Sequence, residues 1–249
     1  MLIDTHCHLF SEYYEDIDEV VERSKNAGVG MLIVNGIDRK TNEEVLGLVS
    51  KYDIVYGALG IQPEVAETAT EEDFKFIEEH INDDKILAIG EIGLDYHYDI
   101  DREKQKEVFK RQLELARKYN KPVIVHSRDC IQETYNILKK SQIKGIMHCY
   151  SGSVEMAREF CKIGFYLGIG GIVTFKNAVK LIEVIKNTDM EYIVLETDSP
   201  YLSPEPYRGK RNEPTNVGVI LQRICELKGL DYMNASEVTT GNVLRLFDK

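Results

Sequence analysis

The chain contains no tryptophan, only six prolines, and little positive charge for its size: 31 Lys and Arg face 42 Asp and Glu, a formal net charge of −11. A broad basic surface for nucleic acid is thereby disfavoured, since affinity for phosphates rests on neutralisation by Lys and Arg. Any phosphate-bearing ligand must be gripped locally, by divalent cations or a short basic loop. No apolar run approaches the roughly 18 residues of a membrane span, and Met1-Leu2-Ile3-Asp4 opens no basic-then-apolar leader, so a cytoplasmic protein without membrane contact is expected. The five cysteines, Cys7, Cys130, Cys149, Cys161 and Cys225, are odd in number, widely spaced and form no C-x-x-C pair. They argue against both a disulfide framework and a cysteine-based zinc knot, and reduced, mostly buried thiols are expected. Repeats, low-complexity tracts and linkers are absent, and no pattern marks a protein partner. Over 249 residues, 43% are hydrophobic and 29% charged, the balance of an ordinary globular chain. A single domain over 1–249 is expected.

Strand-like and helix-like segments alternate from end to end. Short apolar runs occur at Leu2–His6, Val29–Asn35, Ile54–Leu59, Ile86–Glu91, Val123–His126, Gly145–His148, Phe165–Ile169 and Ile193–Glu196. Between them, Asp16–Ala27, Thr41–Lys51, Glu71–Ile81, Arg102–Tyr119, Gln132–Lys139, Val154–Ile163 and Ala178–Lys186 have helical character. Phe109, Leu113 and Ala116, for example, share one helix face. A loop rich in Pro, Gly and charge, Pro200–Pro214, precedes helical segments Val217–Leu227 and Ala235–Leu246, the latter capped by Asn234 or Ser236. Regular strand–helix alternation favours parallel strands joined by crossovers, and eight units in about 250 residues predict an α/β fold, a closed (β/α)8 TIM barrel. The competing open, doubly wound sheet normally carries a Gly-rich phosphate turn after its first strand, where this chain has His6-Cys7-His8-Leu9-Phe10.

His6-Cys7-His8 holds the strongest chemical signal. On a strand, His6 and His8 project from one face, about 6.6 Å apart at the backbone, while Cys7 points away. Two imidazoles so placed can share a metal ion. Further donors finish other strands: Glu91, His126, His148, and Glu196 or Asp198. In a barrel the C-terminal strand ends converge on one mouth, where active sites are built. A catalytic zinc takes about three protein ligands, so the six donors His6, His8, Glu91, His126, His148 and Asp198 predict two ions sharing a bridge. Glu91, on the fourth strand and central among the donors, is the best bridge. Lys85 and Lys121 precede their strands and lie at the wrong end to contribute a carbamylated lysine.

At these residues the chain resembles the TatD family of metal-dependent deoxyribonucleases among the amidohydrolase-like, metallo-dependent hydrolase barrels. The matching stretches are Asp4-Thr5-His6-Cys7-His8-Leu9, Gly90-Glu91-Ile92-Gly93-Leu94-Asp95-Tyr96, Val125-His126-Ser127-Arg128, Met147-His148-Cys149-Tyr150-Ser151-Gly152 and Glu196-Thr197-Asp198-Ser199-Pro200-Tyr201-Leu202, in the family order along nearly the whole chain. The resemblance implies that His6, His8, Glu91 and Asp198 hold one ion and Glu91, His126 and His148 the second. It also implies magnesium-, manganese- or zinc-dependent cleavage of phosphodiesters, with DNA as a substrate. Two positions depart from the family pattern. Gly60-Ile61-Gln62-Pro63 carries an amide where a histidine is common, and Phe10 stands where an acidic residue is common. Gln62 can donate a hydrogen bond to phosphate but cannot act as an acid.

The chemistry follows from the donors themselves. Divalent ions lower the pKa of water toward neutrality and stabilise both the attacking and the leaving oxygens of a phosphodiester. Asp198 is the best general base and Glu91 the other catalytic carboxylate. Arg128, Gln62 and the loop run Arg208, Lys210 and Arg211 are candidate phosphate contacts, with Lys176 and Asn177 weaker ones. Tyr96, Tyr150 and Tyr201 are candidate base-stacking residues. His80 is expected at the surface and His97 behind the centre. Mixed imidazole and carboxylate donors suit zinc, manganese and iron, and magnesium less well. The alternatives are a two-metal hydrolase of amide or ester bonds, and a barrel that binds metal or a partner with weak catalysis.

Overall fold

Each apolar run becomes a strand because large aliphatic residues fill it on both faces, the pattern of parallel strands covered by helices. In the computed structural model, which describes residues 1–249, the eight strands are β1 (Leu2–Cys7), β2 (Val29–Asn35), β3 (Val55–Leu59), β4 (Ile86–Asp95), β5 (Val123–Arg128), β6 (Gly145–Met147), β7 (Phe165–Ile169) and β8 (Ile193–Leu195). They pair in parallel in sequence order. The crossover helices are α1 (Ile17–Asn26), α2 (Arg39–Lys51), α3 (Glu71–His80), α4 (Arg102–Tyr119), α5 (Ile131–Ser141), α6 (Val154–Lys162) and α7 (Val179–Asn187), followed by α8 (Val217–Lys228) and α9 (Tyr232–Leu246). The result is the expected (β/α)8 barrel. No helix is long and apolar enough to cross a membrane.

Between β8 and β1 the ladder shrinks to a single bridge, Cys7 to Ser199, and side chains complete the seam. Asp198 N–H donates to His6 O at 2.9 Å and His8 N–H to Ser199 O at 2.7 Å. Thr5 Oγ1 donates to Leu195 O at 3.0 Å. The buried Asp4 carboxylate accepts from Thr197 N–H at 2.9 Å and from Thr197 Oγ1 at 2.5 Å. Burial drives the Asp4 pKa up to about 8, and the bonds from Thr197 and His6 only partly offset it.

Most of the apolar core lies between barrel and helices, where Phe109, Leu113 and Ala116 of α4 are buried as their spacing predicts. A second cluster gathers Ile3, Met31, Ile33, Leu87, Ala88, Ile124, Ile146 and Val194 from the strands with Val243, Leu246 and Phe247 from the end of the chain. α9 thus closes the N-terminal end of the barrel, and the opposite end is left for chemistry. Lys85 and Lys121 bond carbonyls of Tyr52 and Ile86, away from the mouth.

Two expectations change. α9 begins at Tyr232 and is capped by Asp231, whose carboxylate accepts from Asn234 N–H at 3.0 Å, not by Asn234 or Ser236. Ser236 is already inside the helix and donates to Met1 O. Glu91 does not end its strand, for β4 runs on to Asp95. A register shift between Ile89 and Ile92 takes Gly90 and Glu91 out of the ladder with β5. Glu91 N–H instead donates to Gly36 O at 2.9 Å, and the irregularity re-aims the side chain as bulges do.

Candidate metal centre

β1 delivers its two imidazoles as the alternation requires: His6 Nε2 and His8 Nε2 lie 3.1 Å apart, while Cys7 Sγ turns outward to Ile33 O. His8 Nδ1 sits 2.9 Å from the backbone carbonyl of Asn35, which fixes the ring and leaves Nε2 facing the mouth. Phe10, fully buried, packs 5.7 Å from the His8 ring, so the apolar residue at that position supports the histidine from below. Glu91 comes from the irregular stretch of β4. Asp198 follows β8 with a left-handed backbone, φ 54°, a conformation Asp tolerates better than most residues.

These side chains converge. Glu91 Oε2 is 3.4 Å from His6 Nε2 and 3.7 Å from His8 Nε2, whereas Glu91 Oε1 is 3.0 Å from His126 Nδ1. Asp198 Oδ1 is 3.7 Å from His6 Nε2, 3.6 Å from His8 Nε2 and 3.7 Å from His148 Nε2. Two donors bonded at about 2.1 Å to a tetrahedral ion are separated by about 3.4 Å, the spacing found here. His6 with His8 and Asp198, and His6 with Glu91 and His148, each gather within 4.8 Å. His126 stands outside these triplets and meets the centre through Glu91 alone.

Carboxylates behind the histidines complete the pattern of a metal site, in which the ring nitrogen that faces away from the ion is held by a carboxylate or a carbonyl. His126 Nε2 is 2.9 Å from Asp95 Oδ2. His148 Nδ1 is 3.1 Å from Glu196 Oε1, close but off the line of a good hydrogen bond. The position Glu196-or-Asp198 therefore divides into two roles: Asp198 faces the donors and Glu196 stands behind one of them. Asp95 is not among the expected donors and is recognisable only as part of the stretch Gly90–Tyr96, whereas Glu196, the alternative to Asp198, stands behind His148. Two glycines make room for this arrangement. A Cβ on Gly93, φ 144°, would lie 2.0 Å from His126 O, and one on Gly168 would lie 2.2 Å from Glu196 Oε2.

Electrostatics in the chain alone show what cations would replace. Burial opposes charge on His126, but hydrogen bonds to Asp95 and Glu91 outweigh it and lift its pKa to about 10. Burial likewise opposes charge on His148, yet Glu196 and Asp198 raise it to about 9. For His6 burial wins, helped by repulsion from His148, and its pKa falls to about 4. Glu91 and Asp198 resist burial and stay below the usual carboxylate range, Glu91 through hydrogen bonds to His126 and His6 and Asp198 through the field of His148 and a bond to His8. Glu64, beyond β3, was not foreseen; burial and the Asp95 carboxylate push it up.

The expected substrate contacts divide. Arg128 ends β5 opposite Asp95, exposed at the mouth. Gln62 is half-buried after β3, with its N–H bonded to Ile37 O and no cap bond from its side chain. Arg208 lies 4.2 Å over the Phe175 ring, Lys210 is exposed, and Arg211 Nη1 donates to Tyr13 O at 2.6 Å. Arg211 is thus partly spent on holding its own loop. Lys176 and Asn177 are exposed. Of the tyrosines, Tyr150 is buried with its hydroxyl on Ser153 O and cannot stack on a base. Tyr96 is bonded to Glu133 and covered by Arg102. Tyr201 is exposed at the mouth. The His97 ring pairs outward with Asp129, and it is the His97 backbone N–H that supports Asp95. His80 pairs with Asp83 away from the centre.

Comparison with known proteins agrees with this geometry. The family model described as TatD related DNase matches residues 3–248. The chain is 45% identical over 252 residues to the uncharacterized metal-dependent hydrolase YabD of Bacillus subtilis, covering 99% of each. It is 32% identical over 254 residues to the uncharacterized metal-dependent hydrolase YcfH of Escherichia coli K12, covering 99% of this chain and 95% of that one. The crystal structure of YjjV, a TatD homologue of E. coli K12, superposes with a TM-score of 0.95 at 31% identity, covering 100% of this chain and 98% of that one. The phosphotriesterase homology protein of E. coli, at 16% identity and a TM-score of 0.72, covering 99% and 98%, shares the fold.

Proposed function

The chain belongs to the TatD-related DNase family and is a metal-dependent hydrolase, and from that premise we propose that it cleaves phosphodiester bonds in DNA with two divalent ions. The observation that carries the proposal is the division of Glu91: one carboxylate oxygen faces His6 and His8, the other His126. A carboxylate so shared is suited to bridge two cations. His6, His8, Glu91 and Asp198 would hold one, and Glu91, His126 and His148 the other, with magnesium, manganese or zinc as the ions. When bound, such ions supply Lewis-acid stabilisation of the phosphodiester oxygens and acidify water.

The chain's own groups do the remainder. Asp198, kept ionised by His148 and His8, accepts the proton of the attacking water at a carboxylate oxygen. Water oxygen bonds to phosphorus, the bond to the leaving sugar oxygen breaks, and that oxygen is protonated from solvent. Arg128 offers a planar guanidinium to a phosphate oxygen, and Gln62 an amide N–H, while Lys210 and the free N–H groups of Arg208 and Arg211 lie on the loop after β8, on the other side of the mouth.

Metal analysis on protein reloaded with manganese should give two equivalents for the wild type and sharply fewer for Glu91→Ala; equal stoichiometry removes the bridge. Labelled single- and double-stranded DNA should be cut with added magnesium or manganese, and Asp198→Ala should lose roughly 10²–10⁴-fold in rate. Turnover confined to a panel of amides and carboxylic esters would replace the nuclease with the alternative hydrolase.

A further inference from the structure

The rim of the mouth beside β8 and β1 carries one aromatic ring placed for a ligand. Tyr201 is 49% exposed although it follows a metal-facing carboxylate by only three residues. Its backbone is fixed: Tyr201 N–H donates to Asp198 O at 2.8 Å, and the buried amide of Asn212 donates to both Tyr201 O and Thr197 O, at 2.7 and 2.8 Å. The ring is fixed too, because its hydroxyl donates to Tyr13 Oη at 2.9 Å and Tyr13 O is held in turn by Arg211. The ring centroid is 6.4 Å from that of His8 and 5.7 Å from that of Tyr13, with interplanar angles of 66° and 70°, so neither neighbour lies parallel to it. By contrast Tyr14, Tyr96 and Tyr98 each have an arginine over the ring.

Across the barrel, β4 and β5 lie opposite the β8–β1 seam in an eight-stranded circle. There Arg128 stands over the exposed Tyr98. A line from Tyr201 over the donor cluster to Arg128 is thus aromatic, cation-binding and cationic in turn. That order suits one strand of nucleic acid: a base, the phosphate attacked, and a neighbouring phosphate. In a protein of net charge −11, stacking adds grip that needs no positive charge, since every base has a π-face. Only an unpaired or terminal base exposes that face.

Resting on the nuclease reading above, we infer that Tyr201, braced by Tyr13, stacks on the base next to the attacked phosphate. The test uses full-length protein loaded with manganese, single-stranded oligonucleotides carrying an abasic site at each position in turn, and a small phosphodiester without a base. Tyr201→Ala should raise KM for the intact oligonucleotide by roughly 5- to 150-fold, leave the small diester and the metal content unchanged, and gain no further penalty from an abasic site at the sensitive position. Tyr201→Phe, which keeps the ring and loses only its hydrogen bond to Tyr13, should fall between wild type and Tyr201→Ala. A 2-aminopurine base at that position should be quenched on binding to wild type and not to Tyr201→Ala. Equal losses of Tyr201→Ala on both substrates, or no loss on the oligonucleotide, would overturn the stacking role alone. Wild type that turns over the small diester but no oligonucleotide would overturn the DNA reading and the stacking with it.

Discussion

In a metal site the outer nitrogen of a histidine is held so that the other faces the ion. In His8 and His126 that outer nitrogen is held by groups that the motif spacing does not single out, the Asn35 carbonyl and Asp95. Asp95 holds His126, and Gln105 holds Asp95: its Oε1 accepts from Asp95 N–H and its Nε2 donates to Asp95 O, both at 2.8 Å. Gln105 is buried in the first turns of α4, ten residues away in sequence, where nothing in the local pattern announces a partner. Replacing the Asp95 carboxylate by an amide keeps the shape and removes the charge that orients the imidazole. Asp95→Asn should therefore lower metal affinity by about 10–100-fold, read by calorimetric titration of the ion-free protein. Affinity equal to wild type would show that His126 needs no carboxylate to face Glu91. The four imidazoles that the structure gathers at the mouth, His6, His8, His126 and His148, were legible as candidates because each ends or follows an apolar run. Their orienting partners were not, because orientation is a property of the folded neighbourhood.

Among the elements, strands were the most legible, since burial on both faces writes them as continuous apolar runs. β4 was read short because Gly90, Glu91 and Gly93 interrupt its run, yet the same interruption creates the irregularity that aims Glu91. α9 was read three residues short because Tyr232, Met233 and Asn234 carry no helical signal until Asp231 caps them. In the loop 200–214 the sequence draws attention to the phosphate candidates Arg208, Lys210 and Arg211, but the residue that fixes the loop is the neutral Asn212. Asn212 is fully buried, donates to Thr197 O and Tyr201 O, and accepts from Glu213 N–H and Asn216 Nδ2. One side chain thus ties the segment that carries Asp198 to the start of α8. Removing it leaves buried polar groups without partners, and Asn212→Ala should cost about 2–4 kcal/mol. In a protein of this length that is a fall in Tm of roughly 4–16 °C. A melting curve within a degree of wild type would mean that the loop is held by its other contacts.

For the whole molecule, closure of the barrel sets buried carboxylates against buried imidazoles, and the resulting proton affinities connect folding to metal. A base whose pKa rises on folding stabilises the fold below its unfolded value, and that contribution is lost as pH climbs through the folded value. His148 and His126 stand at about 9 and about 10, above the ordinary 6.5. Their stabilisation is full below about pH 6.5 and disappears between there and about pH 10. Asp4 acts in the same sense over a lower window: its pKa is raised from the ordinary 3.8 to about 8, so its cost to the fold grows from about pH 4 to about pH 8 and is constant above that. His6, lowered to about 4, works the other way, but only below its ordinary 6.5. The ion-free protein should accordingly lose thermal stability steadily from about pH 6.5 to pH 10. Bound ions take the place of those protons, so metal affinity should rise over the same interval as His126 and His148 give theirs up. Calorimetric melting with chelator and with manganese checks both statements: the two Tm values should draw apart as pH increases, with the chelated protein falling. A chelated profile that is flat across this range would show that His126 and His148 carry no proton in the folded, ion-free chain, and a gap that narrows with pH would place the competing protons on other groups.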